Sequence, residues 1–237
     1  MLNDKSLTAV MSDLSLSHGS KAILNKASCH FHVGDLTFII GPSGSGKTSI
    51  FYIFNRLNDN FPSLNANGNV RLLIDQQWIN VFPKVEYSLA ALRCKVAMVF
   101  QTPHLLPGSV RKNFTLPLKL VRKIPQKTCD AIMEAQLREV CLWDDLKDHL
   151  DKSATRLSIG QQQRLCLARA LAMEPNFLFL DEPTASLDSE SAHQILSLLH
   201  RLRERYTIVL VSHNEREWEQ YGDRVYQLKD HTLALVR

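Results

Sequence analysis

The chain has 237 residues, enough for one large domain or for a core with an inserted subdomain, and ample for a hydrophobic core. With 45% apolar and 22% charged residues it has the composition of an ordinary soluble globular protein, and its net charge of +4 is too mild to point to nucleic acid. The five cysteines are scattered without a C-x-x-C pair, which argues against a disulfide framework or a zinc site and fits free thiols in a reducing cytosol.

The first residues, Met1-Leu2-Asn3-Asp4-Lys5, hold no apolar stretch of the signal-peptide kind. No run approaches the roughly 18 apolar residues of a membrane-spanning helix, so any work at a membrane is expected to go through a partner. Residues 7–40 read as strands. Leu7 to Leu16 alternates in part, His18-Gly19-Ser20 is a turn, and Cys29 to Val33 is a short strand before Gly34-Asp35. Leu36-Thr37-Phe38-Ile39-Ile40 is a compact apolar run that leads into Gly41-Pro42-Ser43-Gly44-Ser45-Gly46-Lys47-Thr48. This stretch fits G-x-x-x-x-G-K-[ST], a pattern a phosphate cradle needs. Glycines let backbone N–H groups turn inward around phosphate oxygens, Lys47 can reach the outer phosphates, and the Thr48 hydroxyl can ligate Mg²⁺. The helix that follows turns its positive end to the anion. Ile50, Ile53, Phe54 and Leu57 give that helix one buried face. By chance, a chain of this length shows the pattern on the order of one time in a hundred, so the surrounding elements must carry the argument.

Asn65 to Gly68 is turn-rich, and Val70 to Val81 has the pattern of a hairpin. Lys95 to Phe100 is a short apolar strand ending at Gln101. Tyr87 to Cys129 contains no acidic residue but eight bases: Arg93, Lys95, Arg111, Lys112, Lys119, Arg122, Lys123 and Lys127. Between Asp130 and Asp151 the balance reverses, with seven acids against two bases. This reads either as a charge-segregated solvated region or as a docking face for a charged partner or an anionic membrane surface. Pro103, Pro107, Pro117 and Pro125 punctuate the basic half, so its first part is expected to be loop rather than long helix. Ala131 to Val140 is helical by pattern. Ser158 can cap a second helix that runs to about Met173, before Pro175. Phe177 to Leu180 is a continuous apolar strand running into Asp181-Glu182. Ala192, Ile195, Leu199 and Leu202 mark a further helix, and Thr207 to Val211 a buried strand ending at Ser212-His213. Val225 to Leu228 and Leu233 to Val236 form a closing pair of strands.

Short buried strands alternating with helices, plus a helical insertion, predict an α/β fold built on a parallel sheet, with ligands at the strand C-termini. Gly41, Gln101, Asp181-Glu182 and His213 all stand at such ends. A rigid strand tip would hold the Asp181 carboxylate near Mg²⁺, through a water. Glu182 could accept a proton from an attacking water. His213 could bond the γ-phosphate, and Gln101 could reach the metal or the water. Each residue has a plain structural alternative. An acidic pair after a strand can be a helix cap or a surface turn, a lone histidine is more often structural, and an isolated glutamine carries almost no information. Their convergence on one rim argues for function.

Together these segments resemble the ATP-binding-cassette (ABC) ATPases over nearly the whole chain. Gly41 to Ser49 resembles Walker A and Val99-Phe100-Gln101 the Q-loop. Leu157-Ser158-Ile159-Gly160-Gln161-Gln162-Gln163-Arg164 resembles the family signature. Phe177 to Glu182 resembles Walker B, Ala185-Ser186-Leu187-Asp188 the D-loop, and His213 the switch histidine. The resemblance implies a single domain over residues 1–237, a P-loop NTPase with a mainly parallel sheet and N-terminal antiparallel strands. Residues 1–101 and 173–237 would form the nucleotide-binding core, and about 102–172 a helical subdomain. ATP and Mg²⁺ are the implied cofactors. Pro42, Ser43, Gly44, Ser45, Gly46, Lys47, Thr48 and Ser49 would bind phosphate, His18 would lie at the adenine, and Thr48, Gln101 and Asp181 would hold the metal. Glu182 would be the general base, acting with His213 and Lys47. A head-to-tail dimer would bring Ser158, Gly160, Gln161 and Asp188 of a second cassette to the same nucleotide.

Residues 102–125, with Pro103-His104-Leu105-Leu106, would meet transmembrane permease subunits. The cassette itself would sit at the cytoplasmic face of the inner or plasma membrane, peripheral through those subunits. An extracytoplasmic binding protein would complete the complex, and no nucleic acid is implied. Within the family, Phe54-Asn55-Arg56-Leu57, Ala97 to Gln101, Leu142-Trp143 near Lys147-Asp148, Gln161 to Ala170 and Ser212-His213-Asn214 resemble the cassettes of bacterial phosphate importers. Three features depart from that pattern: Ile159 stands at the signature's first glycine, His18 replaces an adenine-stacking aromatic, and the chain stops at Arg237 without the expected short extension. The alternatives kept open are a weakly hydrolysing regulatory cassette in a heterodimer, an exporter of another substrate, a soluble ABC protein acting on DNA or ribosomes, and a P-loop kinase. The last two leave either the single short cassette or Ser158 to Arg164 unexplained.

Overall fold

The computed structural model describes residues 7–237, so the expectation drawn from Met1 to Lys5 lies outside the described residues. Two sheets form the frame. The first is antiparallel, in the order β2–β1–β4–β5, from β1 (Leu7–His18), β2 (Lys21–His32), β4 (Leu64–Ile74) and β5 (Gln77–Phe82). The second runs β10–β9–β3–β8–β7–β6, from β3 (Leu36–Ile40), β6 (Val96–Val99), β7 (Phe177–Asp181), β8 (Thr207–Val211), β9 (Arg224–Lys229) and β10 (Thr232–Leu235). Every pair in it is parallel except the closing hairpin of β9 and β10. This matches the expected mainly parallel sheet with N-terminal antiparallel strands.

The strand period of two divides the apolar residues between two cores. Leu36, Phe38, Leu178, Leu180, Ile208 and Leu210 face one side of the parallel sheet. That side is covered by α3 (Val110–Leu120), α4 (Gln126–Glu139), α5 (Trp143–Leu146), α6 (Ile159–Leu171) and α7 (Ser189–Leu202). Ile39, Phe177, Phe179, Val209 and Val211 face the other side, where α1 (Lys47–Phe54) lies between the two sheets. Continuous apolar runs are therefore strands buried on both faces. At the centre of the second core, the Phe179 ring lies 4.8 Å from Phe51, 5.0 Å from Phe54 and 6.2 Å from Phe31. Phe179→Ala removes a ring shared by the parallel sheet, α1 and β2. It should cost roughly 3–5 kcal/mol, read as a lower urea midpoint with an unchanged slope.

The sequence reading misplaced three elements. β2 begins at Lys21 rather than near Cys29, because positions 23, 24, 27, 29 and 31 supply a long, irregular apolar edge against β1. The short α2 (Leu89–Lys95) carries only one buried residue, Leu92, which is too little periodicity to read. Residues 100–109 carry no helix or strand, in line with the loop expected around Pro103 and Pro107, but α3 then occupies residues 110–120 with Pro117 inside it. Burial of Val110, Phe114 and Leu118 outweighs the lost backbone donor, and the Ser109 side chain caps the helix by accepting from Lys112 N. The hairpin was read correctly. Its turn, Asp75-Gln76, has φ of 49° and 66°, the twist a two-residue connection needs.

Candidate functional site

Strands β3, β8, β7 and β6 are neighbours, in register, and parallel. Their carboxyl ends therefore release Gly41, Ser212-His213, Asp181-Glu182 and Gln101 along one rim, as the sequence predicted. After β3 the chain turns through the glycine-rich loop into α1. At Gly41 φ is 151°, and a β-carbon there would stand 2.4 Å from the Leu228 carbonyl oxygen. At Gly46 φ is 97°, and a β-carbon would stand 2.5 Å from Ile23 Cγ2. No other residue fits either place.

A cavity of about 470 Å³ opens at this rim. His18, Ser43, Gly44, Gly46, Lys47, Thr48, Ser49, Gln101, Asp181 and Glu182 line it, all of them predicted from sequence. Lys21, Ile23 and Val211 line it too and were missed. Lys21 sits at the start of β2, a strand the pattern placed too late, and donates to Gly44 O at 3.3 Å. His18 shares a 3.0 Å hydrogen bond between its Nε2 and Ser63 Oγ.

Lys47 is only 5% exposed. Its ammonium donates to the carbonyl oxygens of Gly41 at 2.8 Å and Pro42 at 2.9 Å, so the loop curls over its own lysine. Burial pushes the Lys47 ammonium below its usual range, while Glu182 and Asp181 pull it back up. The Thr48 hydroxyl lies 2.9 Å from both oxygens of Asp181 and donates to that carboxylate. Burial raises the Asp181 carboxyl above its usual range, and Glu182 adds to that. The Thr48 hydrogen bond and Lys47 act the other way. Both shifts have the same remedy. A polyanion beside Lys47 and a dication beside Asp181 would each restore the charge that burial disfavours.

The donors fit those ligands. Thr48 and Asp181 offer hard oxygens converging on one point, the set a Mg²⁺ ion takes from protein. Ser45 Oγ in the loop is buried without a hydrogen-bond partner, a deficit that a phosphate oxygen accepting from its hydroxyl would meet.

Glu182 has φ of 44°, a left-handed conformation that costs a non-glycine residue about 1–2 kcal/mol. Its N–H donates to Val211 O at 3.0 Å, which holds it there. The strain turns the side chain back to the rim, where its Oε2 lies 3.2 Å from Nδ1 of the exposed His213. An acid beside a nucleotide-sized cavity, oriented by a histidine, can take a proton from water.

Four predicted residues are elsewhere on the chain. Ser158 and Gln161 form a reciprocal capping box at the start of α6, with Ser158 Oγ accepting from Gln161 N at 3.3 Å and Gln161 Oε1 accepting from Ser158 N at 3.1 Å. Gly160 faces Leu187 and Ser191. Asp188 caps α7, accepting from Ser191 N at 2.9 Å and from Ser191 Oγ at 2.8 Å, which holds its carboxyl below the usual range. None of the four lines the cavity of the same chain. Ile159 has the helical backbone of the first position of α6 and is 47% exposed. The strain a positive φ would have imposed on a β-branched residue is therefore absent, and only its bulk on the surface remains.

Residues 24–185 match the family described as ABC transporter. The chain is 41% identical over 215 residues to the Phosphate import ATP-binding protein PstB 1 of Lactobacillus acidophilus, covering 89% of this chain and 77% of that protein. Among solved structures, cbiO1 from Clostridium perfringens, part of the ABC transporter complex cbiONQ, superimposes with a TM-score of 0.79 at 26% identity, over 97% of this chain and 88% of that one. The ATP-binding cassette MJ0796, in a dimeric post-hydrolysis state bound to ADP and Pi, gives 0.78 at 27% identity, over 97% and 99%. With the glycine-rich loop, the Thr48–Asp181 pair and the strained Glu182 on one rim, this chain belongs to the ABC transporter family, as an ATP-binding and ATP-hydrolysing cassette.

Proposed function

We propose that this cassette powers the import of phosphate or a similar small anion. The 41% identity to a phosphate-import protein across 89% of the chain carries this reading. In it, the loop from Gly41 to Ser49 cradles the phosphates and His18 lies at the base. Lys47 exchanges its bonds to Gly41 and Pro42 for the outer phosphates. Thr48 and Asp181, with Gln101, would hold Mg²⁺, which when bound neutralises charge on the phosphate oxygens. Glu182 takes the proton of the attacking water, and His213 orients both. Ser158, Gly160, Gln161 and Asp188 act on the nucleotide of a second cassette, so the working unit is a dimer. Their distance from the cavity of their own chain supports this. Residues 1–101 and 173–237 form the nucleotide core, with 102–172 as a helical subdomain.

Permease subunits dock near residues 102–125. A groove of about 290 Å³ lined by His104, Leu106, Pro117, Arg169 and Met173 supports that placement. Among the described residues no helix is long and apolar enough to cross a membrane. In this reading those subunits carry the cassette at the cytoplasmic face, with a binding protein on the far side. The test is reconstitution with the membrane subunits and binding protein. Phosphate-loaded binding protein should stimulate ATP hydrolysis and uptake. Stimulation by a different solute would reject phosphate as the cargo while leaving the ATPase intact.

The exposed Ile159 favours a second reading, a weakly hydrolysing cassette paired with a different one. A branched side chain at the helix N-terminus keeps a second subunit's nucleotide at a distance. Ile159→Gly should raise the ATPase rate of the purified protein several-fold, the equivalent of about 1 kcal/mol, at a small cost in helix stability. An unchanged or lower rate in a phosphate-release assay would remove Ile159 as a brake.

A further inference from the structure

Of the eight bases between Tyr87 and Cys129, half are consumed inside the fold. Arg93 donates to the carbonyls of Asn55 and Arg56. Lys95 pairs with Asp75, Arg111 with Asp130 and Asp151, and Arg122 with Glu174. Among the described residues, the ammonium groups of Lys112, Lys119, Lys123 and Lys127 have no hydrogen bond or ion pair, and all four lysines are exposed. They gather in one place. Lys112 and Lys119 lie on α3 with Leu116 and Leu120 between and beside them, at the spacing of one helix face. That face is opposite the buried Val110, Phe114 and Leu118. Val121 and Lys123 follow the helix directly, and Lys127 is in the first turn of α4. Leu116 is 38% exposed, Leu120 61% and Val121 48%.

We infer that this stripe contacts the anionic surface of the membrane directly, independently of the cargo. Three exposed apolar side chains and four free lysines, with no carboxylate from residue 87 to 129, fit a negatively charged lipid headgroup layer above an apolar boundary. The residue choice separates lipid from protein. Protein interfaces favour arginine and deplete lysine, and here the arginines are tied down inside while the lysines are left out. Long lysine stems reach headgroups while the leucines enter the boundary. The stripe adjoins the proposed permease groove at Pro117, which would hold α3 close to the bilayer.

Co-sedimentation with vesicles tests this, using the purified full chain. Vesicles of phosphatidylcholine mixed with phosphatidylglycerol should retain it, phosphatidylcholine alone should not, and added salt should release it. Each lysine contributes about fivefold to partitioning, so Lys119→Gln with Lys123→Gln should lower binding about 25-fold. Leu120→Gln should also weaken it, whereas Lys229→Gln on β9 should not. Melting temperature and ATPase rate should stay unchanged in every variant. Absence of binding to the anionic vesicles at low salt, or equal binding by the double variant, overturns the inference. So does unchanged vesicle binding combined with lost stimulation in the reconstituted transporter, which assigns the stripe to a protein contact.

Discussion

Glu182→Gln should reduce ATP turnover by about 10²–10⁴-fold, the range a positioned general base supplies, while leaving ATP affinity intact. The substitution keeps the shape and a hydrogen-bonding oxygen for His213, 3.2 Å away in the parent protein. It removes the capacity to take a proton. It also removes a negative charge that helps raise the Asp181 carboxyl, so Asp181 ionises more readily and Mg²⁺ binding should not weaken. ATP bound but not cleaved should hold two cassettes together, visible as an ATP-dependent dimer in size-exclusion chromatography. Phosphate release and nucleotide binding measured on one preparation separate the steps. Substantial surviving turnover would mean that another group accepts the proton. The left-handed backbone at Glu182 would then need a different explanation.

Much of this site could be read before any fold was known, for a physical reason. Chemistry in this fold stands at strand ends, and buried parallel strands advertise themselves as continuous apolar runs. Phe177 to Leu180 and Thr207 to Val211 are such runs, and the residues after them fell on the rim. The loop from Gly41 to Thr48 was legible because its φ values and close contacts admit glycine alone at Gly41 and Gly46. What escaped depended on contacts far apart in sequence. Lys21 reaches the loop through sheet pairing that no local pattern carries. The φ of Glu182 is imposed by Val211, 29 positions later in the chain. α3 was hidden by Pro117, since local propensity said loop and burial of Phe114 and Leu118 said helix. At Ile159, in the place of a glycine, the sequence leaves open both backbone strain and crowding of a second subunit, and the helical backbone removes the first.

Lys47→Ala should weaken ATP binding by about 10- to 100-fold. A charge-assisted hydrogen bond contributes about 1.5–3 kcal/mol, and each 1.4 kcal/mol is tenfold in affinity. The free protein should tolerate the loss better than its burial suggests. Lys47 holds the carbonyls of Gly41 and Pro42, and removing it forfeits two hydrogen bonds. Against that, the ammonium sits at a place where burial disfavours its charge, so its removal also relieves a desolvated cation. The two effects oppose each other, and the melting temperature should move by only a few degrees. Added ATP with Mg²⁺ should then raise the melting temperature of the parent protein far more than that of the variant, because stabilisation by a ligand scales with its affinity. Lys47→Arg should not rescue binding. The guanidinium is a rigid planar fork where the loop closes on a compact point charge. A collapse of the ligand-free melting temperature in Lys47→Ala would mark Lys47 as a structural staple of the loop. Retained affinity would show that backbone N–H groups and the end of α1 hold the phosphates without it.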